Sequence, residues 1–61
     1  MGADFKKGSD AEKRGDYATA LREWKPLAIQ GNADAQYHLG VMYDKGQGVP
    51  QDEKSAMKWY R

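Results

Sequence analysis

A chain of 61 residues has room for one hydrophobic core, and folding at that size buries only about 60% of the surface the unfolded chain exposes. It has no cysteine, which excludes disulfides, thiolate metal sites and cysteine nucleophiles together. Ten Lys and Arg against nine Asp and Glu give a formal net charge of +1, too balanced for general attraction to nucleic acid or a membrane surface.

A mean hydropathy of −1.00 leaves no apolar run long enough to span a bilayer. Two Trp, four Tyr and one Phe are more aromatic surface than a solvated coil carries. No basic segment followed by an apolar stretch opens the chain. A signal peptide is therefore read as absent or removed, which leaves cytoplasm and periplasm equally open.

In chain order, a first helix is expected over about Ala3 to Arg14, with Phe5, Gly8 and Ala11 as a narrow seam. Gly8 costs that helix about 1 kcal/mol relative to Ala unless another helix approaches closely there. Gly15 and Asp16 end it and start the next. From Asp16 to Gln30 the apolar positions Tyr17, Ala20, Leu21, Trp24, Leu27 and Ala28 fall in an arc of about 120°, the stripe of a core-facing helix. Asp16 suits the N-cap and Gly31 the left-handed position beyond the end. Pro26 lies opposite the stripe, where a kink toward solvent is tolerable, so one kinked helix is expected.

Ala33 to Lys45 reads as a third helix capped by Asn32, with Ala35, Tyr37, Leu39, Val41, Met42 and Tyr43 covering most of its circumference. Such a helix needs neighbours on most sides and should be central. The last helix, about Gln51 to Arg61, is expected to put Ala56, Met57, Trp59 and Tyr60 on one face, with Pro50 near its first turn and Asp52 and Glu53 complementing the helix dipole.

An internal repeat runs through these elements. Phe5 and Gly8 recur as Tyr37 and Gly40, and Ala20, Leu21 and Trp24 recur as Ala56, Met57 and Tyr60. The tight Gly15-Asp16 turn gives way to the longer loop from Gly46 to Gln51. Two helix–turn–helix units, about 3–31 and 32–61, fit a helical solenoid.

The run Ala35-Gln36-Tyr37-His38-Leu39-Gly40-Val41-Met42-Tyr43, then Gly46-Gln47-Gly48-Val49-Pro50-Gln51-Asp52, Ala56 and Trp59-Tyr60, closely resembles the Sel-one-like repeat. The first half, with Gly8, Gly15, Tyr17, Ala20 and Trp24, looks more like the related tetratricopeptide repeat. The resemblance implies an all-α fold, two stacked antiparallel helix hairpins forming a fragment of a right-handed α-solenoid, that binds proteins or peptides without catalysis. In such arrays the first helix of each hairpin lines the concave face. By repeat register this nominates Asp34, Tyr37, His38, Val41 and Lys45 on the third helix, with Phe5, Ser9 and Lys13 as counterparts on the first.

Catalytic and cofactor chemistry find little support. His38 is the single histidine, and Asp34 one turn away makes a dyad without a nucleophile or oxyanion donor. A solvated or partner-facing imidazole is the better reading, and one His without Cys is poor for zinc. Gly46-Gln47-Gly48 follows a helix rather than preceding one, so it reads as a turn and not a phosphate cradle. No metal, cofactor or catalytic residue is expected.

Lys6, Lys7, Lys13 and Arg14 cluster on the first helix and offer a rival function, contact with nucleic acid or an acidic partner. Their simpler reading is the solvated outer face of a terminal repeat. The expected partner is a protein or peptide, with no membrane. Self-association through Ala56, Met57, Trp59 and Tyr60 is also expected, by end-to-end stacking or exchange of the last helix.

Overall fold

A computed structural model describes residues 2–60. It contains four helices and, among the described residues, no strand: α1 (Phe5–Lys13), α2 (Tyr17–Ile29), α3 (Ala33–Lys45) and α4 (Glu53–Tyr60). Helix α1 packs on α2, α2 on α3, and α3 on α4, so α3 is flanked by a helix on either side, and α2 equally so. The thinnest dimension, 13 Å, is that of two helices in contact, about 8–10 Å between axes plus a backbone radius on each side. Every helix therefore keeps a solvent face.

Side-chain caps start each helix where the sequence supplies an acceptor. Asp4 Oδ1 accepts from the N–H groups of Lys6 (2.9 Å) and Lys7 (3.4 Å). Asp16 Oδ1 accepts from Thr19 N–H at 3.2 Å, and Asn32 Oδ1 from Ala35 N–H at 2.9 Å. Helix α4 begins two residues later than expected, because Asp52 is its cap. Asp52 Oδ1 accepts from the N–H groups of Lys54 and Ser55, and its other oxygen from the Ser55 hydroxyl at 2.9 Å. Pro50 thus belongs to the loop and not to the first turn. The expected end of this helix at Arg61 lies outside the described residues.

Pro26 sits inside an unbroken α2, exposed as anticipated. Gly31 (φ +100°) and Gly46 (φ +70°) take the left-handed conformation beyond the ends of α2 and α3.

The core comprises Ala11, Ala20, Trp24, Ala28, Ala35, Leu39 and Met42, with Phe5, Tyr17, Leu21, Leu27 and Trp59 packed against it. Small residues dominate because the helices approach closely. A Cβ on Gly8 would overlap the indole of Trp24, and one on Gly40 would overlap the ring of Tyr60. Each hairpin is therefore closed the same way, by an aromatic ring of its second helix lying on a glycine of its first.

The loop between α3 and α4 folds back on the start of α2. Gly48 (φ +75°) lies where a Cβ would come within 2.8 Å of Tyr17 Cβ, and Gln47 Nε2 donates to the Tyr17 hydroxyl at 3.4 Å. Gln51 Nε2 donates to the Asp44 carbonyl at 2.8 Å, closing the loop on itself. The α3–α4 loop thus ties the two hairpins together.

Candidate functional site

The nominated residues of α3 lie on one stripe. At about 100° per residue, Tyr37, Val41, Asp34, Lys45 and His38 span an arc of about 100° along three turns. Their environments differ. Tyr37 is 59% exposed, Asp34 and Lys45 are exposed, and Val41 is half-buried. On α1, Lys13 is exposed, while Ser9 and Phe5 are half-buried.

His38 departs most from expectation. Its ring stacks on Trp24, with centroids 4.6 Å apart and planes 24° from parallel, and meets Phe5 at 5.4 Å. The imidazole is half-buried, in a triangle of rings with Trp24 and Phe5 and edge-on to Tyr37 at 5.8 Å, rather than free in solvent. The reason lies in how α3 sits: the edge of the stripe carrying His38 turns toward α2. Phe5 is similarly committed, with its ring 5.6 Å from that of Trp24 and its carbonyl accepting the Trp24 indole N–H at 3.1 Å.

The Phe5–Trp24 pair has a second copy in the molecule. Tyr37 and Tyr60 stand 5.8 Å apart at 41° between planes, against 5.6 Å and 33° for Phe5 and Trp24. The first pair is covered by His38 and Trp24 is fully buried. The second lies open, with Tyr60 46% exposed. Partial desolvation, then the nearby Asp44 carboxylate, hold the Tyr60 phenol above its ordinary value of 10.0. An aromatic pair at the rim of a charged stripe can seat an apolar or planar side chain and orient it by the charges of Asp34 and Lys45.

The apolar face expected on α4 is only partly one face. Ala56 is buried and Trp59 half-buried against the core, whereas Met57 is 68% exposed. Met57 stands about 160° from Trp59 around this helix, too far for both to face inward. The open apolar surface at this end of the fold is therefore Tyr37, Met57 and Tyr60, without Trp59.

The basic cluster of α1 is half engaged by its own neighbours. Lys6 pairs with Asp10 at 3.7 Å and Arg14 with Asp16 at 3.8 Å, both solvent-exposed pairs of the weak kind. Among the described residues, no group of three His, Asp or Glu is placed to hold a metal ion. Among them also, no helix is long and apolar enough to cross a membrane.

A family model for the Sel1 repeat matches residues 33–61. Curated relatives include DAP3-binding cell death enhancer 1 of Rattus norvegicus and of Mus musculus, each 34% identical over 50 residues, which is 82% of this chain and 10% of the relative. The chain thus spans about a tenth of the length of these relatives. No solved structure matches it.

Proposed function

The chain carries a Sel1 repeat at residues 33–61, and from that premise we propose that it is a non-catalytic module binding a peptide or protein on the face of α1 and α3. Sel1 repeats are generally protein–protein interaction units stacked as helical solenoids. The units of this reading are two hairpins, about residues 3–31 and 32–61. The observation that carries the proposal is the open Tyr37 between Asp34 and Lys45, beside the half-buried Val41. An exposed aromatic with charged flanks is the composition of an interface anchor.

His38 and Phe5 act in this reading as the floor of the surface, holding α3 against the first hairpin. Ser9 and Lys13 extend it along α1. The relatives' name describes a protein that binds DAP3, which supports a protein as the class of partner here. Self-association belongs to the same end of the fold, through Tyr37, Met57 and Tyr60.

The experiment is a peptide selected from a random library against the immobilised chain, followed by affinity measurements on variants. Tyr37→Ala should weaken binding about tenfold or more, as removal of an aromatic anchor does. Lys45→Glu should change the charge preference of the selected peptides. Unaltered affinity in both variants would count against this face.

A further inference from the structure

The outer face of α2 carries a shallow groove lined by Ala18, Leu21, Arg22, Lys25, Pro26 and Ile29. Ala18, Arg22, Lys25 and Ile29 follow one line along the helix, on the side opposite the buried Ala20, Trp24 and Ala28. Ile29 is 69% exposed, so an aliphatic side chain stands in water one turn beyond Lys25 and two beyond Arg22. Among the described residues no carboxylate lines the groove and neither Arg22 nor Lys25 forms an ion pair, although Arg22 also borders Asp10 and Glu23 on the side toward α1. Pro26 adds a third feature: lacking an N–H, it leaves the Arg22 carbonyl without its usual helical donor.

Only part of this register extends to α4, where Leu21 and Arg22 are matched by Met57 and Lys58. Met57 is exposed where Leu21 is half-buried, and Glu53 one turn before it makes that helix less purely cationic. A protein whose formal net charge is only +1 thus sets apolar side chains beside two cations on the outer face of its second helix.

We propose that the outer face of α2 is a docking surface for an acidic amphipathic helix of a partner protein. Its apolar residues would fill the groove against Leu21, Pro26 and Ile29. Its Asp or Glu side chains would meet Arg22 and Lys25. From Ala18 to Ile29 the strip runs about 16 Å at 1.5 Å per residue, which matches three turns of a partner helix. An anionic lipid surface would read the same charges, but a groove without Trp or Phe offers little to insert into it. This surface is separate from the α1 and α3 face and stands or falls independently.

The test is a fluorescence anisotropy titration of the intact chain with a synthetic helical peptide carrying Leu on three successive turns and Glu on both flanks. The peptide should bind with an affinity that falls as salt rises. Ile29→Ser should weaken it about tenfold, and the double variant Arg22→Glu/Lys25→Glu should abolish it. Exchanging the peptide's Glu for Lys should restore binding to that double variant, while Tyr37→Ala should have no effect. All substituted side chains are exposed or line the surface, and circular dichroism checks that each variant keeps its helices. Equal affinity for the double variant, or binding to phosphatidylserine vesicles with none to the peptide, would overturn the proposal.

Discussion

The ring of Tyr60 lies on Gly40, as the indole of Trp24 lies on Gly8. The two contacts are alike in geometry and unlike in depth, since Trp24 is fully buried and Tyr60 46% exposed. A side chain at Gly8 would have to displace an indole enclosed by Phe5 and His38 and break its hydrogen bond to the Phe5 carbonyl. A side chain at Gly40 meets a ring that can swing into solvent. Alanine in a helix interior gains about 1 kcal/mol over glycine, against an overpacking cost of about 1–3 kcal/mol. Gly8→Ala should therefore destabilise by about 1–2 kcal/mol while Gly40→Ala stays near neutral. Chemical denaturation of the two variants measures this, and equal losses would contradict the difference in depth.

Gly48 and Gly15 separate backbone strain from crowding. Both have positive φ, +75° and +78°, and a Cβ at Gly15 meets nothing within 4 Å, whereas one at Gly48 meets Tyr17. Gly15→Ala should cost about 1 kcal/mol from the left-handed conformation alone. Gly48→Ala should cost about 1–3 kcal/mol more, because the loop must also lift from α2. Matching melting temperatures for the two variants would remove the loop's contact with Tyr17 from the account.

His38 supports the fold, so its removal should register in stability. His38→Ala uncovers one face of Trp24 and loses an aromatic contact of about 0.5–1.5 kcal/mol along with some buried area. His38→Phe keeps a flat ring in place and should retain most of that stability. Trp24 emission should shift to longer wavelength in the Ala variant only. No change in stability or emission would mean that the stack contributes nothing.

Much of this was legible in the sequence. The bounds of α2 and α3 follow from apolar period and from caps at Asp16 and Asn32, and Gly8 and Gly40 were readable as close-approach positions. Three things were not. His38 sits among Asp34 and Lys45 on a polar sector, and only the rotation of α3 against α2 turns its ring onto Trp24. Met57 follows the buried Ala56 in sequence, and in a helix of only eight residues the stripe is too short to show which edge faces out. The α2 patch is read in sequence as plain surface, since Ile29 and Pro26 lie off the core stripe.

The helix caps predict how the fold responds to acid. Hydrogen bonds from the Thr19 side chain and backbone hold the Asp16 carboxyl below its ordinary 3.8. Those from the Ser55 side chain and backbone do the same for Asp52. A carboxyl whose folded pKa lies below its unfolded value contributes stability that is present above about pH 4 and lost as pH falls through the folded pKa. Asparagine caps a helix about as well as aspartate but does not titrate. The double variant Asp16→Asn/Asp52→Asn should therefore stay folded at neutral pH and lose less stability on acidification. An unchanged acid transition in thermal melts would show that these carboxyls do not govern it.

The central claim is that the α1 and α3 face is the binding surface of a non-catalytic module. The most direct measurement is an amide chemical-shift titration of the isotopically labelled Ile29→Glu variant, whose α2 groove is blocked, with a peptide selected against that variant. The account predicts that the largest shifts fall on Lys13, Asp34, Tyr37, Val41 and Lys45, with the helices otherwise unchanged. Shifts confined to α2 and α4, with Tyr37 and Val41 silent, would contradict it.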